Sequence, residues 1–246
     1  MTSSLVSRCL AKSKQTAGGL LRKMPSRCPL CQMAARGGHL CAGCEADIFD
    51  ARQRRSLCRA CGAELSISAL CGNCVRGAAI DALACAIDYQ FTGQLLIQMY
   101  KEGGQLALAN LLGDLMVRAA KPLFDELKPD AWVPIPASAA RLGHTGFSPA
   151  QQLARVVASL TATPCRLEWL AQVRDGSPQK TLGRFERLNA VKGRFVANAA
   201  VAGLCIGLVD DVVTTSSTVA EAARTLKAAG AKRVIVLAAA RTPLSA

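Results

Sequence analysis

The sequence predicts an α/β protein, a parallel sheet covered by helices on both faces, preceded by a small module organised by cysteines. Two observations predict it. Eight of the 12 cysteines fall between residues 28 and 74, arranged as four C-x-x-C pairs. Beyond residue 80, short apolar runs alternate with segments whose apolar residues recur every three or four positions, the pattern of strands alternating with helices. At 246 residues with 51% apolar side chains, the chain has room for one such domain, expected over 78–246, and a module over 28–77.

Residues 1–27 carry six basic and no acidic side chains and lack the contiguous apolar core of a secretory signal. A stretch of this composition suits an organellar transit peptide or a disordered basic lead-in; the lead-in is the expectation. No window reaches the ~18 uninterrupted apolar residues of a membrane helix, so a soluble, cytoplasmic protein without membrane insertion is expected.

The cysteines come next. Cys28, Cys31, Cys41 and Cys44 read C-x2-C-x9-C-x2-C, and Cys58, Cys61, Cys71 and Cys74 repeat the arrangement thirty residues on. Two thiolates two residues apart can bite one metal from a single turn, and two such turns close a tetrahedral zinc site. Disulfides and redox pairs fit a chain without a secretion signal poorly. Sequential closure within each unit leaves the shorter loops and is expected over a crossed pairing. With four sulfurs per ion no coordination position stays open, so the zinc is structural and stands in for an apolar core. His39 is a loop residue on this reading, and Cys205 a small apolar residue in a strand. The module and the sheet domain are expected to hold separate cores.

After the module, "AAIDALACAIDYQ" (78–90) reads as a strand and "TGQLLIQMYKEGG" as a helix ending near Gly103. "QLALANLLGDLMVRAAKPLFDELK" is a long amphipathic helix, and "DAWVPIP" a strand stopped by Pro134 and Pro136. Ser148 and Pro149 start a helix as cap and first residue. Residues 174–194 are polar, with six Lys or Arg and two acids. A strand 204–209, a helix 217–229 and a strand 234–240 finish the chain.

In open α/β sheets ligands bind beyond the carboxyl ends of the strands. There the sequence places Asp210 and Asp211, then Val213, the hydroxyl run Thr214, Thr215, Ser216, Ser217 and Thr218, and a helix. A loop that feeds a helix N-terminus is suited to a phosphate. The carboxylates would repel that phosphate and suit sugar hydroxyls or a bridging magnesium ion. A ribose 5-phosphate offers both. The bland alternative is a strand end that the acids merely cap and solvate.

"GLVDDVVTTSST" resembles the phosphoribosyl-pyrophosphate signature of type I phosphoribosyltransferases. With the four C-x-x-C pairs in front, the chain is similar to the ComF/GntX family over residues 28–241. "MYKEGG", "WVPIPASAARLGHTGFSPAQ" and "SPQKTLGRFERLNAVKGRF" fit the same family, the last with Gln179, Arg187 and Asn189. The resemblance implies a zinc ribbon joined to a phosphoribosyltransferase-like sheet and a link to DNA uptake in natural transformation. It implies that Asp210 and Asp211 hold the ribose hydroxyls, and that Lys101, Arg141 and residues 213–218 bind the phosphates. Magnesium would accompany the pyrophosphate displaced from C1. The chain departs from the family at Ser216, where glycine is usual and a Cβ restricts φ; glycine there is expected to tighten binding, the alternative being that the Ser216 hydroxyl donates to the phosphate and glycine weakens it. It departs again at Thr145 to Pro149, where the family has R-G-F-N-Q, leaving Arg141 and His144 as the nearby bases.

The net charge of +13 favours polyanionic partners, or serves solubility alone. Two functional readings remain open. One is a magnesium-dependent phosphoribosyltransferase. The other is a non-catalytic zinc-ribbon protein whose partners are single-stranded DNA or a competence protein such as a helicase.

Overall fold

The computed structural model describes residues 24–65, 71, 74, 79–103, 106–137, 146–173, 193–214 and 216–243. Arg141, His144, Gln179, Arg187, Asn189, Thr215 and nearly all of the basic tail lie outside the described residues.

The N-terminal unit opens with a hairpin, β1 (Pro25–Arg27) against β2 (Ala34–Arg36), with Ser26 opposite Ala35. The turn between them is a metal-binding knuckle. The Cys28 N–H donates to Met33 O (2.8 Å) and the Gln32 N–H to Cys28 O (3.0 Å). The second unit repeats both bonds, Cys58 N–H to Ala63 O and Gly62 N–H to Cys58 O, each 2.7 Å. Both turns put the fifth residue in the left-handed region, Gln32 at φ 61° and Gly62 at φ 68°. Glycine is required only at the second, where a Cβ would stand 2.8 Å from Leu83 Cδ2 and the knuckle presses on the sheet. Between the knuckles run α1 (Ala42–Glu45), a π-helical turn (Ala46–Asp50) and α2 (Ala51–Gln53).

The rest of the chain runs β3 (Ala82–Asp88), α3 (Phe91–Gly103), α4 (Leu106–Phe124), β4 (Ala131–Pro134), α5 (Pro149–Thr161), β5 (Leu170–Gln172), β6 (Phe195–Ala197), β7 (Cys205–Val213), α6 (Ser217–Ala228) and β8 (Arg233–Arg241). β3, β8, β7 and β4 lie side by side in that order, all parallel. A parallel sheet buries both faces, and alternate residues of β8 serve the two sides. Val234, Val236 and Ala238 join Val219, Ala222 and Leu226 of α6. Ile235, Leu237 and Ala239 join Leu112, Leu115 and Met116 of α4 and Leu153 of α5. At the β4 edge Trp132 is fully buried and donates from Nε1 to Thr161 Oγ1 (2.8 Å). Its ring needs Gly207 as its neighbour on β7, since a Cβ there would stand 2.3 Å from it. Ser148 accepts from the Gln151 N–H and Pro149 opens α5, as the sequence predicts.

Three features differ from expectation. First, β7 does not stop at Val209. Pairing with β8 continues through Asp210 opposite Ala238 and Val213 opposite Arg241, so both acids lie within the strand. Second, β5 and β6 form an antiparallel pair that flanks the basic segment; three-residue strands are too short for periodicity to reveal. Third, the described apolar residues of the module do not form a separate core. Cys28, Leu40 and Phe49 share one apolar cluster with α4. Arg118 of α4 reaches Glu45 Oε1 (2.6 Å) and lies 4.5 Å over the Phe49 ring. The module also covers β3, the edge strand, whose Leu83 N–H donates to Arg59 O (2.6 Å). An exposed edge would offer unpaired backbone to other chains, and here the knuckle occupies part of it.

Candidate functional site

A cleft of about 370 Å³ opens beyond the carboxyl ends of β4 and β7. Its floor is Asp210, Val212, Val213 and Thr214, with Ser216, Thr218 and Val219 at the start of α6. Lys101 and Tyr89 line one side, and Ile135, Pro136 and Ala137 another. Gln172, Arg194 and Phe195, from around the β5–β6 pair, complete it.

The strand pleat divides the two acids. Successive residues of a strand point to opposite faces, and Asp210 lines the cleft while Asp211 does not. Asp211 is 3% exposed and pairs with Lys101 at 2.8 Å from Nζ to Oδ2. It faces Tyr100, whose hydroxyl is pushed well above its ordinary pKa, first by burial and then by the Asp211 charge. The Tyr100 hydroxyl contacts Pro149 O and Gln152 Oε1, tying α3 to α5. Each carboxylate also accepts the N–H of the next residue, Asp210 from Asp211 (2.9 Å) and Asp211 from Val212 (2.8 Å). Asp210 presents its carboxyl group to the cleft, and Asp211 holds the Lys101 ammonium, which reaches the same cleft from α3.

The start of α6 has no side-chain cap. Ser216 sits at the N-cap with φ 62°, in the left-handed region, and its side chain makes no capping bond. A serine cap ordinarily spends its hydroxyl on the N–H groups of the first turn. Here those groups and the positive end of the helix are left to face the loop. The Ser216 Oγ is buried with no partner among the described residues. Ser217 opens the helix without lining the cleft.

Arg241 carried no sequence signal beyond a cation at the end of an apolar run. It is 2% exposed and donates from Nη1 to Thr214 O (2.5 Å), Thr242 O (3.2 Å) and Val213 O (3.4 Å). Gln172, at the end of β5, and Arg194, just before β6, reach the cleft through a strand pair too short for periodicity to reveal.

The cysteines close sequentially. Cys28, Cys31, Cys41 and Cys44 place their sulfurs within 4.8 Å of one another, as do Cys58, Cys61, Cys71 and Cys74. Cys31 and Cys41 are 3.4 Å apart and Cys61 and Cys71 3.6 Å. Sulfurs ~2.3 Å from one tetrahedral ion stand about 3.8 Å apart, so both sets fit zinc, and His39 belongs to neither. Burial works to raise the first thiol of each set, but backbone N–H donors outweigh it. Cys28 is lowered to about 6 by Cys31, Cys41 and Leu30, and Cys58 to about 7 by Cys71, Cys61 and Ala60. Thiolates stabilised in this way are the form a metal takes.

Fold and site together define a double zinc-ribbon module joined to a parallel α/β sheet with a cleft at its carboxyl end. Residues 23–75 match the double zinc ribbon domain. The DNA utilization protein YhgH of Salmonella typhimurium is 32% identical over 227 residues, 89% of this chain and 98% of that protein. Competence protein F of Haemophilus influenzae is 28% identical over 82% of this chain and 90% of that protein. This chain belongs to their family, the ComF/GntX family. Glutamine phosphoribosylpyrophosphate amidotransferase from B. subtilis superimposes on 57% of this chain and 30% of its own length, at TM-score 0.40 and 18% identity. That overlap is too partial to carry a ligand across. Among the described residues no helix is long and apolar enough to cross a membrane.

Proposed function

We propose that this chain binds phosphoribosyl pyrophosphate or a related ribose 5-phosphate in the cleft beyond β7. One observation carries the reading: Asp210 turns its carboxyl group into the cleft beside a helix start that Ser216 leaves uncapped. The first suits vicinal hydroxyls and the second a phosphate, and one sugar phosphate offers both. Lys101, held on Asp211, supplies a cation for the pyrophosphate side.

With phosphoribosyl pyrophosphate bound, the reaction we assign is displacement at C1. The C1–oxygen bond to pyrophosphate breaks, its electron pair leaves with pyrophosphate, and an acceptor forms the new bond to C1. Magnesium, a hard ion suited to carboxylate and phosphate oxygens, would neutralise the leaving group. The chain's own part is positioning and electrostatics. Asp210 orients the ribose, α6 and Thr218 hold the 5′-phosphate, and Lys101 faces developing negative charge.

The relatives' names speak of DNA utilization and competence, and we place this activity in the same service. A second reading, binding of single-stranded DNA without catalysis, is favoured by the net charge of +13. Thermal melts test the first. A ligand that binds only the folded state raises the melting temperature, so ribose 5-phosphate at millimolar concentration should raise that of wild type and leave Asp210→Asn unmoved. An equal rise in both proteins would remove Asp210 from the site.

A further inference from the structure

We propose that Arg241 is a positioning residue that couples the second zinc knuckle to the loop beyond β7, so that zinc at Cys58, Cys61, Cys71 and Cys74 tightens the loop's grip on its anion. The identity of that anion rests on the reading above; the coupling does not.

Burying a guanidinium is costly unless its donors are used. Arg241 is nearly fully buried, and its Nε has no hydrogen-bond partner among the described residues. Asp88, its neighbour in register on β3, is already shared by Arg52 and Arg55. What Arg241 holds instead are the carbonyls of Val213, Thr214 and Thr242. Val213 and Thr214 line the cleft. The guanidinium and the loop carbonyls thus satisfy each other, and where the side chain lies sets where the loop lies.

The other wall of the Arg241 slot is the zinc knuckle itself. Gly62 follows Cys61 directly, and a Cβ on it would stand 3.2 Å from Arg241 Cδ. Arg52 reaches Gly62 O from Nη2 (3.5 Å) and Cys85 O from Nε (3.2 Å), fixing the turn against β3. Zinc draws the four thiolates onto one centre and so fixes the turn that carries Gly62. Without it the turn loosens, the slot widens, and Arg241 no longer holds Thr214 O in one place. The contacts from the knuckle through Arg241 to the loop are contiguous, as coupling through packed groups requires.

The test uses the full chain loaded with zinc. Three quantities are read: zinc content, amide exchange at Val213, Thr214 and Ser216 to Val219, and affinity for ribose 5-phosphate. Cys71→Ser, which empties the second site, should speed that exchange and weaken affinity about tenfold, within the ~5–150-fold typical of coupled sites. Arg241→Met should do the same while keeping both zinc ions, a separation that general unfolding would not produce. Arg241→Lys keeps the charge but lacks the planar fork and should recover only part of the loss; it also carries the cycle should the Met variant fold poorly. In either background Cys71→Ser should add less than about twofold, because the route is already cut. Losses that multiply, or loop exchange that stays at the wild-type rate in Arg241→Met and Arg241→Lys, would overturn the coupling. If wild type binds no ribose 5-phosphate, the ligand reading fails and the exchange measurements alone decide the coupling.

Discussion

Ser216 carries the sharpest residue-scale consequence. At φ 62° a side chain with a Cβ sits in a region that costs roughly 1–2 kcal/mol. That turn belongs to the fold, so relief of the strain appears as stability of the folded chain. Ser216→Gly is therefore expected to raise stability by about 1 kcal/mol, or ~2–4 °C in melting temperature for a chain of this size. Affinity reports a different quantity. The buried, unpartnered Oγ makes the hydroxyl a candidate donor to the phosphate, so glycine should weaken ribose 5-phosphate binding, against the tightening that the sequence suggests. Melting curves and calorimetry on the two proteins separate strain from hydroxyl, and tighter binding by the glycine variant would show that the hydroxyl contributes nothing. Asp211 gives a second test at this scale. Asp211→Asn removes the charge that steers Lys101, so affinity for the pyrophosphate compound should fall more than affinity for ribose 5-phosphate, which lacks the group Lys101 faces.

At the scale of elements, the packing of the module on α4 predicts that module and sheet unfold together. Because Cys28, Leu40 and Phe49 pack in the α4 cluster, Cys28→Ser is expected to lower the stability of the whole chain by several kcal/mol and to give one cooperative transition. Differential scanning calorimetry showing an intact sheet transition beside a lost module would restore two independent cores. Zinc analysis of wild type should find close to two ions per chain. The elements also show what was legible beforehand. Cysteine spacing carried the two sites and their sequential pairing, since C-x-x-C is local geometry. Apolar runs revealed the strands of the main sheet for the same reason. The end of β7 was misplaced because Asp210 and Asp211 read as a polar stop, while pairing with Ala238 to Arg241 keeps the strand going. The division of those acids between two faces follows from that continuation, which no local pattern in the sequence signals. Arg241, Gln172 and Arg194 reach their places only through tertiary contacts, for which a sequence has no period.

At the scale of the whole molecule, charge bears on the DNA-binding reading. Residues 1–27 hold six of the 30 basic side chains and none of the acids. If single-stranded DNA binds, phosphate neutralisation drives it, and affinity should fall steeply as salt rises from 50 to 200 mM. Removing residues 1–23 should weaken the complex without altering sequence preference, because phosphate contacts position and do not specify. Binding indifferent to salt would exclude that origin. A DNA contact of this kind is compatible with the cleft's own ligand, so it does not decide the central claim. Calorimetric titration of phosphoribosyl pyrophosphate into the zinc-loaded full chain does so most directly, with and without magnesium and with Asp210→Asn in parallel. Saturable binding of wild type, tightened by magnesium and lost in the variant, is the predicted result; no heat from wild type at millimolar ligand with magnesium would contradict it.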